Sequence, residues 1–194
     1  TSADWAYWNN TDNRSFVEIS HLFANGWEGK AALTYMDLQS DSALFYQYGT
    51  PDRQTGLGLF AYPSLYALDI EKLIADLHVK GPFDFLGREH ELVAGVQWSR
   101  SELEDQSNYG RGIGTPLPPL DQWSGYYPKP PFDARVDGSE WTDRQTGIYT
   151  TARLSLTDRL TGLVGARLSR FDGDGVSYGK TRDTSYDNVF TPYA

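Results

Sequence analysis

Between Arg144 and Gly175 apolar and polar residues alternate, break for three residues, and alternate again. Ile148, Thr150, Ala152, Leu154 and Leu156 fall on one parity, and Tyr149, Thr151, Arg153 and Ser155 on the other. That is the period of a half-buried strand. After Thr157-Asp158-Arg159 the pattern restarts, with Leu160, Val164, Ala166 and Leu168 against Thr161, Arg167 and Ser169. Two such runs around a short polar break predict an antiparallel hairpin.

The same reading extends along the chain. A run from about Arg14 to Phe23 sets Val17, Ile19 and Phe23 against Glu18 and Ser20, and stops at the turn signal Ala24-Asn25-Gly26. From Trp27 the alternation resumes, with Gly29, Ala31, Leu33 and Tyr35 against Glu28, Lys30 and Thr34. Leu73, Ala75, Leu77 and Val79 oppose Lys72, Asp76 and His78; after a modest connection from Gly81 to His90, Leu92, Ala94, Val96 and Trp98 oppose Gly95, Gln97 and Ser99. The closing "NVFTPYA" opens a seventh strand. Between these runs, Leu38 to Tyr66, Ser101 to Glu140 and Asp172 to Tyr186 are polar or rich in Gly, Pro and Tyr, and read as long loops.

Connections are therefore expected to run short, long, short, long, short, long. A soluble Greek-key sandwich has no reason to alternate in this way, whereas an outer-membrane barrel joins its strands by short periplasmic turns and long extracellular loops. The spacing of aromatics agrees. Trp27 lies beside the first short turn, Tyr35 follows eight positions on with the same parity, and Trp98 is about as far from its own turn. At about 3.3 Å per residue and a tilt near 45°, that span rises roughly 19 Å, compatible with girdles flanking an apolar band about 25 Å tall. His21 and Glu71 share the lipid-facing parity, so each is expected either at an interface or beside a bulge. The fold class is thus all-β, with about seven antiparallel up-and-down strands.

Composition narrows the function. A net charge of −9, from 26 acidic against 17 basic residues, argues against nucleic acid, which demands a basic footprint. With no cysteine in the chain, neither a disulfide framework nor a thiolate metal site can form. No apolar run approaches the roughly 20 residues of a membrane helix, a test to which a barrel is indifferent. The opening "TSADWAYWNN" has no signal-peptide pattern, so the chain is expected to be a middle slice of something longer.

The segments "GPFDFLGREHELVAGVQWS", "RQTGIYTTARLSLTDRLTGLVGARLSRFDGDG" and "NVFTPYA" resemble the barrel of TonB-dependent ferric-siderophore receptors, particularly the ferripyoverdine and ferrioxamine type. The resemblance implies a plugged barrel of about 22 strands that imports iron chelates across the outer membrane of a Gram-negative bacterium. It also implies TonB as a partner engaged through a plug, ferric siderophore as ligand and outer-membrane lipid around the strands. This sequence shows about seven strands and no plug, energy-coupling box or closing strand. Residues 1–194 are accordingly expected to form one partial barrel domain, self-associating in isolation through its open edges.

Under that reading the ligand candidates are loop aromatics, whose rings can pack on an iron chelate while their polar edges hydrogen-bond to it: Tyr46, Tyr48, Tyr62, Tyr109, Trp123, Tyr126 and Tyr127. Arg153 and Arg167 have lumen parity on adjacent strands and are candidates to face the plug. No cofactor, metal or catalytic residue is expected. Two other classes compete. Asp76 and His78 share a face at i and i+2 and could activate water in a barrel enzyme. Exposed Trp and Tyr on a soluble β-sandwich could stack on carbohydrate. The Asp172-x-Asp174 pattern lacks the oxygen ligand and the glycine that a calcium loop needs downstream.

Overall fold

The alternation becomes a single antiparallel sheet of seven strands in chain order. The computed structural model describes residues 3–194. The strands are β1 (Tyr7–Leu22), β2 (Glu28–Gly49), β3 (Leu59–Phe85), β4 (Arg88–Tyr109), β5 (Arg135–Ser155), β6 (Thr161–Ser177) and β7 (Lys180–Tyr193). Connections 23–27, 86–87 and 156–160 lie at one end, and 50–58, 110–134 and 178–179 at the other, as up-and-down order requires. All described strands belong to this one sheet, so the two-sheet sandwich alternative is set aside.

Cross-strand partners share a face, and the register puts Val17, Leu33, Ala75 and Trp98 in one row. The next row holds Ile19, Ala31, Leu77, Val96, Ile148, Leu168 and Phe190. Leu77, Val96 and Ile148 are about half exposed, an apolar surface that needs lipid or another apolar partner. From Val96 to Gln106 exposure alternates strictly, this face being exposed and the other half-buried. The sheet is therefore curved, with the apolar face convex and the face of Asp76, His78, Tyr149 and Arg167 concave.

The strands outrun the lipid. β3, with 27 residues, is about 90 Å long at roughly 3.3 Å per residue, whereas a tilted strand crosses an apolar band about 25 Å tall in roughly 11. Three expected loops shrink accordingly: Leu38 to Tyr66 is reduced to 50–58, Ser101 to Glu140 to 110–134, and Asp172 to Tyr186 to the two-residue turn Tyr178-Gly179. Beyond the lipid the convex face has no reason to be apolar, and there it carries Asp37, Asp69, Glu71, Glu102, Glu104 and Glu140. The position of Glu71 follows. It faces Asp37 and Glu102 outside the apolar band with the register unbroken, while His21 lies beside the 23–27 turn, edge-on to Phe23 at 4.6 Å. Trp27 covers Gly81 at the same end, and Tyr35 and Trp98 mark the other limit of the band.

Three glycines on the concave face let long side chains lie across a strand and bond two strands away. Tyr149 passes over Gly95 and donates its hydroxyl to Asp76 at 3.0 Å; a Cβ on Gly95 would sit 2.5 Å from the Tyr149 ring and 2.7 Å from His78 Cβ. Arg167 passes over Gly147 to Gln97 Oε1 at 2.9 Å, and Tyr193 over Gly165 to Thr151. Gly95→Val in the complete gene product should therefore lower stability by about 1–3 kcal/mol, as overpacking does. Gly162→Ala, whose new methyl meets only Leu156 at 3.4 Å, should leave it unchanged. Thermal unfolding in detergent checks both.

Candidate functional site

Beyond the lipid, the concave face is lined with rings. Tyr46 and Tyr48 on β2 stand opposite Tyr62 and Phe60 on β3, and Tyr109 closes β4. Tyr48 meets Tyr62 at 6.0 Å and Tyr62 meets Tyr109 at 5.8 Å, both nearly perpendicular, while Tyr46 meets Tyr66 at 6.5 Å. Edge-to-face contacts of this kind are favourable and hold the rings upright. The Arg135 guanidinium, from the first residue of β5, lies 4.5 Å over the Tyr109 ring. Desolvation by burial raises the pKa of the Tyr62 and Tyr66 phenols above the ordinary value.

Four of the seven ring candidates, Tyr46, Tyr48, Tyr62 and Tyr109, thus share one ladder. Trp123 and Tyr127 do not. They lie on the convex side, where Phe45 stacks on Tyr127 at 4.4 Å and contacts Trp123 at 5.7 Å. Trp5 packs edge-on to Phe45 and donates its indole N–H to the Tyr127 carbonyl at 2.7 Å. Ala3, Leu59, Ala61 and Leu117 complete this cluster. Tyr126 is two-thirds exposed and contributes a carbonyl to the Trp123 indole. The loop neck is closed by Arg111, which donates to both carboxylate oxygens of Asp133 at 2.7 and 2.8 Å. The part of the connection around Trp123 and Tyr127 is therefore pinned on the convex side, while Gly110 to Ile113 line the rim of the ladder beside Tyr62 and Tyr109.

Phe60, Tyr66 and Arg135 join the ladder without having been singled out in the sequence. Phe60, Tyr62 and Tyr66 share one parity, a strand signal masked by the Gly, Pro and Tyr around it. The nine-residue tip between β2 and β3 is stiffened by Asp52, whose Oδ1 accepts from the Thr55 and Gln54 amides and the Thr55 hydroxyl. Led by the Thr55 backbone bond, these hydrogen bonds hold the carboxyl below the usual carboxylate range.

The remaining candidates lie lower on the concave face. His78 Nδ1 is 2.8 Å from Asp76 Oδ1, and Tyr149 donates to the same carboxylate, so the pair braces β3 to β5. Arg167 bonds Ser169 and Gln97, both neutral; neither it nor Arg153 forms an ion pair among the described residues. Asp172 and Asp174 pair with Arg170 and Arg144. A groove of about 560 Å³ runs along Leu77, Val79, Ala94, Val96 and Ile148 of the lipid-facing band, over the strand segments that carry His78, Tyr149 and Arg167.

This architecture has known counterparts. A family model described as TonB dependent receptor-like, beta-barrel matches residues 1–194. The chain belongs to this family. It is 32% identical to the ferric-pyoverdine BN7/BN8 receptor of Pseudomonas putida, over 98% of the chain and 25% of that protein. It is 25% identical to the ferrioxamine B receptor of Salmonella typhimurium, over 97% and 26%. The crystal structure of the outer-membrane ferripyoverdine receptor of Pseudomonas aeruginosa bound to ferripyoverdine superimposes with a TM-score of 0.82 at 28% identity, covering 98% of this chain and 25% of that one. The chain spans about a quarter of the length of these relatives. The sheet is a section of a TonB-dependent outer-membrane barrel, and the family is one of receptors rather than enzymes.

The convex cluster gives a direct test of how the loop is held. Phe45→Ala should release residues 118–131 and speed chymotryptic cleavage after Trp123 and Tyr126 by more than about tenfold, as expected when a buried aromatic anchor is lost. Barrel unfolding should change little. Mapping the fragments by mass spectrometry checks it.

Proposed function

We propose that the protein containing this chain takes up ferric siderophores across the outer membrane, energised through TonB, and that the chelate binds the concave wall outside the lipid. The observation that carries this is the ladder of Tyr46, Tyr48 and Tyr62, backed by the buried Tyr109 with Arg135 over its ring, on the side that continues into the barrel interior. Ring faces pack on the organic shell of a chelate, phenols and guanidinium donate to its oxygens, and nothing in this requires bond making. The activity is binding and transport without catalysis. Burial raises the Tyr62 and Tyr66 phenols above their ordinary value, which favours their meeting the chelate as neutral hydrogen-bond donors.

Arg153 and Arg167 take a second role in this reading. Each presents to the interior a guanidinium with no ion pair among the described residues, Arg153 standing opposite Glu91 on β4, and is suited to acidic groups of a segment filling the barrel. The convex band of Leu77, Val96 and Ile148 meets outer-membrane lipid. With β1 and β7 each paired on one side alone, the 194-residue chain expressed by itself should sediment as oligomers in detergent-free buffer. A compact monomer would contradict the barrel reading.

Titrating the complete gene product with ferripyoverdine and with ferrioxamine B, followed by tryptophan quenching, tests the binding site. At least one should bind, and Tyr62→Ala should weaken it roughly tenfold while Tyr62→Phe weakens it less than about threefold. Equal loss in both variants would point to phenolate ligation instead. No binding of either chelate by the unaltered protein would remove the receptor reading.

A further inference from the structure

We propose that Tyr178 is a further ligand-contacting residue, its ring presented on the concave face by the β6–β7 turn to the aromatic part of a bound ferric chelate. The inference rests on the receptor reading above and extends the site to a strand pair that the ladder does not reach.

Tyr178 and Gly179 are the central residues of a two-residue hairpin turn, with φ of 48° and 74°. Both positive values mark the turn type that normally selects Asn, Asp or Gly, and a tyrosine there is disfavoured. Leu86-Gly87 makes the same turn at the opposite end, with φ of 50° and 70°, and Leu86 is left almost fully exposed. Tyr178 is directed instead. Its amide donates to the Gly138 carbonyl at 2.8 Å, docking the turn on β5. Its hydroxyl lies 2.9 Å from Ser107 Oγ, across β5 on β4.

That anchor is rigid, because Ser107 is fully buried. It is also in the right place. Ser107 stands opposite Tyr66 on β3 and two positions before Tyr109 on the same face. The phenol of Tyr178 therefore ends beside the rings of the ladder, reached from the other side. The residue remains 43% exposed, whereas Tyr109 is 7% exposed and already spent on Tyr62 and Arg135. A residue fixed at its hydroxyl, held in a disfavoured backbone conformation and still 43% exposed contributes little to the core. It is arranged to meet something flat.

The partner chemistry follows from the shape. A fixed ring discriminates between chelates that carry an aromatic group and wholly aliphatic ones, since offset or edge-on ring pairs gain beyond simple burial. Asn accepts positive φ, so Tyr178→Asn removes the ring and keeps the turn. Ser107→Ala removes only the anchor.

In the complete gene product, Tyr178→Asn should weaken ferripyoverdine, which bears an aromatic chromophore, roughly threefold to tenfold and leave any binding of aliphatic ferrioxamine B within about twofold. Ser107→Ala should shift ferripyoverdine in the same direction by less. Unchanged ferripyoverdine binding in Tyr178→Asn, or equal loss for both chelates, would overturn the inference alone. Unaltered protein that binds only ferrioxamine B also overturns it and leaves the receptor reading standing. Failure to bind either chelate removes both. A thermal midpoint for Tyr178→Asn matching the unaltered protein excludes misfolding as the cause of a loss. If that midpoint falls, Ser107→Ala decides: weaker ferripyoverdine binding upholds the inference, and unchanged binding overturns it.

Discussion

An unpaired backbone N–H or C=O in hydrocarbon has no water to bond, and each such group costs several kcal/mol. A continuous antiparallel ladder is the condition on which the rest of this sheet depends. From β1 to β6 the register runs without a break, and the single irregularity, between Ser169 and Phe171, faces β7. Prolines in β3 fall where the ladder can spare a donor. Pro82 lies past Lys80, opposite which β2 has already ended. The Pro63 carbonyl accepts from Gly110, but its nitrogen has nothing to give back. There β4 leaves the ladder, residues 111–113 bulge out, and pairing resumes at Ala61 with Gly114 and Thr115. One missing N–H thus places the start of the long loop.

Side-chain bonds on the concave face reinforce the ladder without touching the lipid. Each crosses an intervening glycine, so Tyr149, Arg167 and Tyr193 in turn tie β5 to β3, β6 to β4 and β7 to β5. The donors and acceptors are polar groups that could not have been placed on the convex side at this level. Curvature and chemistry are linked here, since a concave surface brings groups two strands apart within reach. The fully buried serines Ser64 and Ser107 show the same crowding further up.

The sequence disclosed the fold where lipid imposes contrast. Around Leu33, Leu77, Val96 and Ile148 apolar outward residues alternate with polar inward ones, and that stretch of every strand was readable. Beyond the lipid the contrast inverts: Asp37, Asp69 and Glu71 face out while Leu38, Leu68 and Ile70 face in. A rule that looks for apolar residues on the lipid parity then finds noise, and Gly, Pro and Tyr tip the reading toward loop. The prolines themselves were reliable. All six between Ser101 and Glu140 lie in the irregular 110–134 segment. Tyr178-Gly179 escaped because tyrosine is a poor signal for positive φ. Of the ring candidates, parity alone separated Tyr46, Tyr48 and Tyr62 from Phe45, once the segment is known to be strand. Nothing in sequence could show on which side the 110–134 loop would fold back.

That side matters because adjacent residues of an extended hairpin serve opposite surfaces. Phe45 anchors the loop outside and Tyr46 faces the interior, one residue along β2. A one-residue slip of only the outer part of β2 against β3, absorbed by a bulge at the lipid boundary, would exchange them and bring the ladder under the loop. Inside the membrane, lipid forbids such a slip; outside it, with polar residues on both faces, the apolar pattern no longer does. The Phe45, Trp5 and Tyr127 cluster supplies what lipid no longer can, a strongly apolar contact available in one register only. On this argument the convex cluster and the concave ladder are a single device, the first fixing the parity on which the second depends.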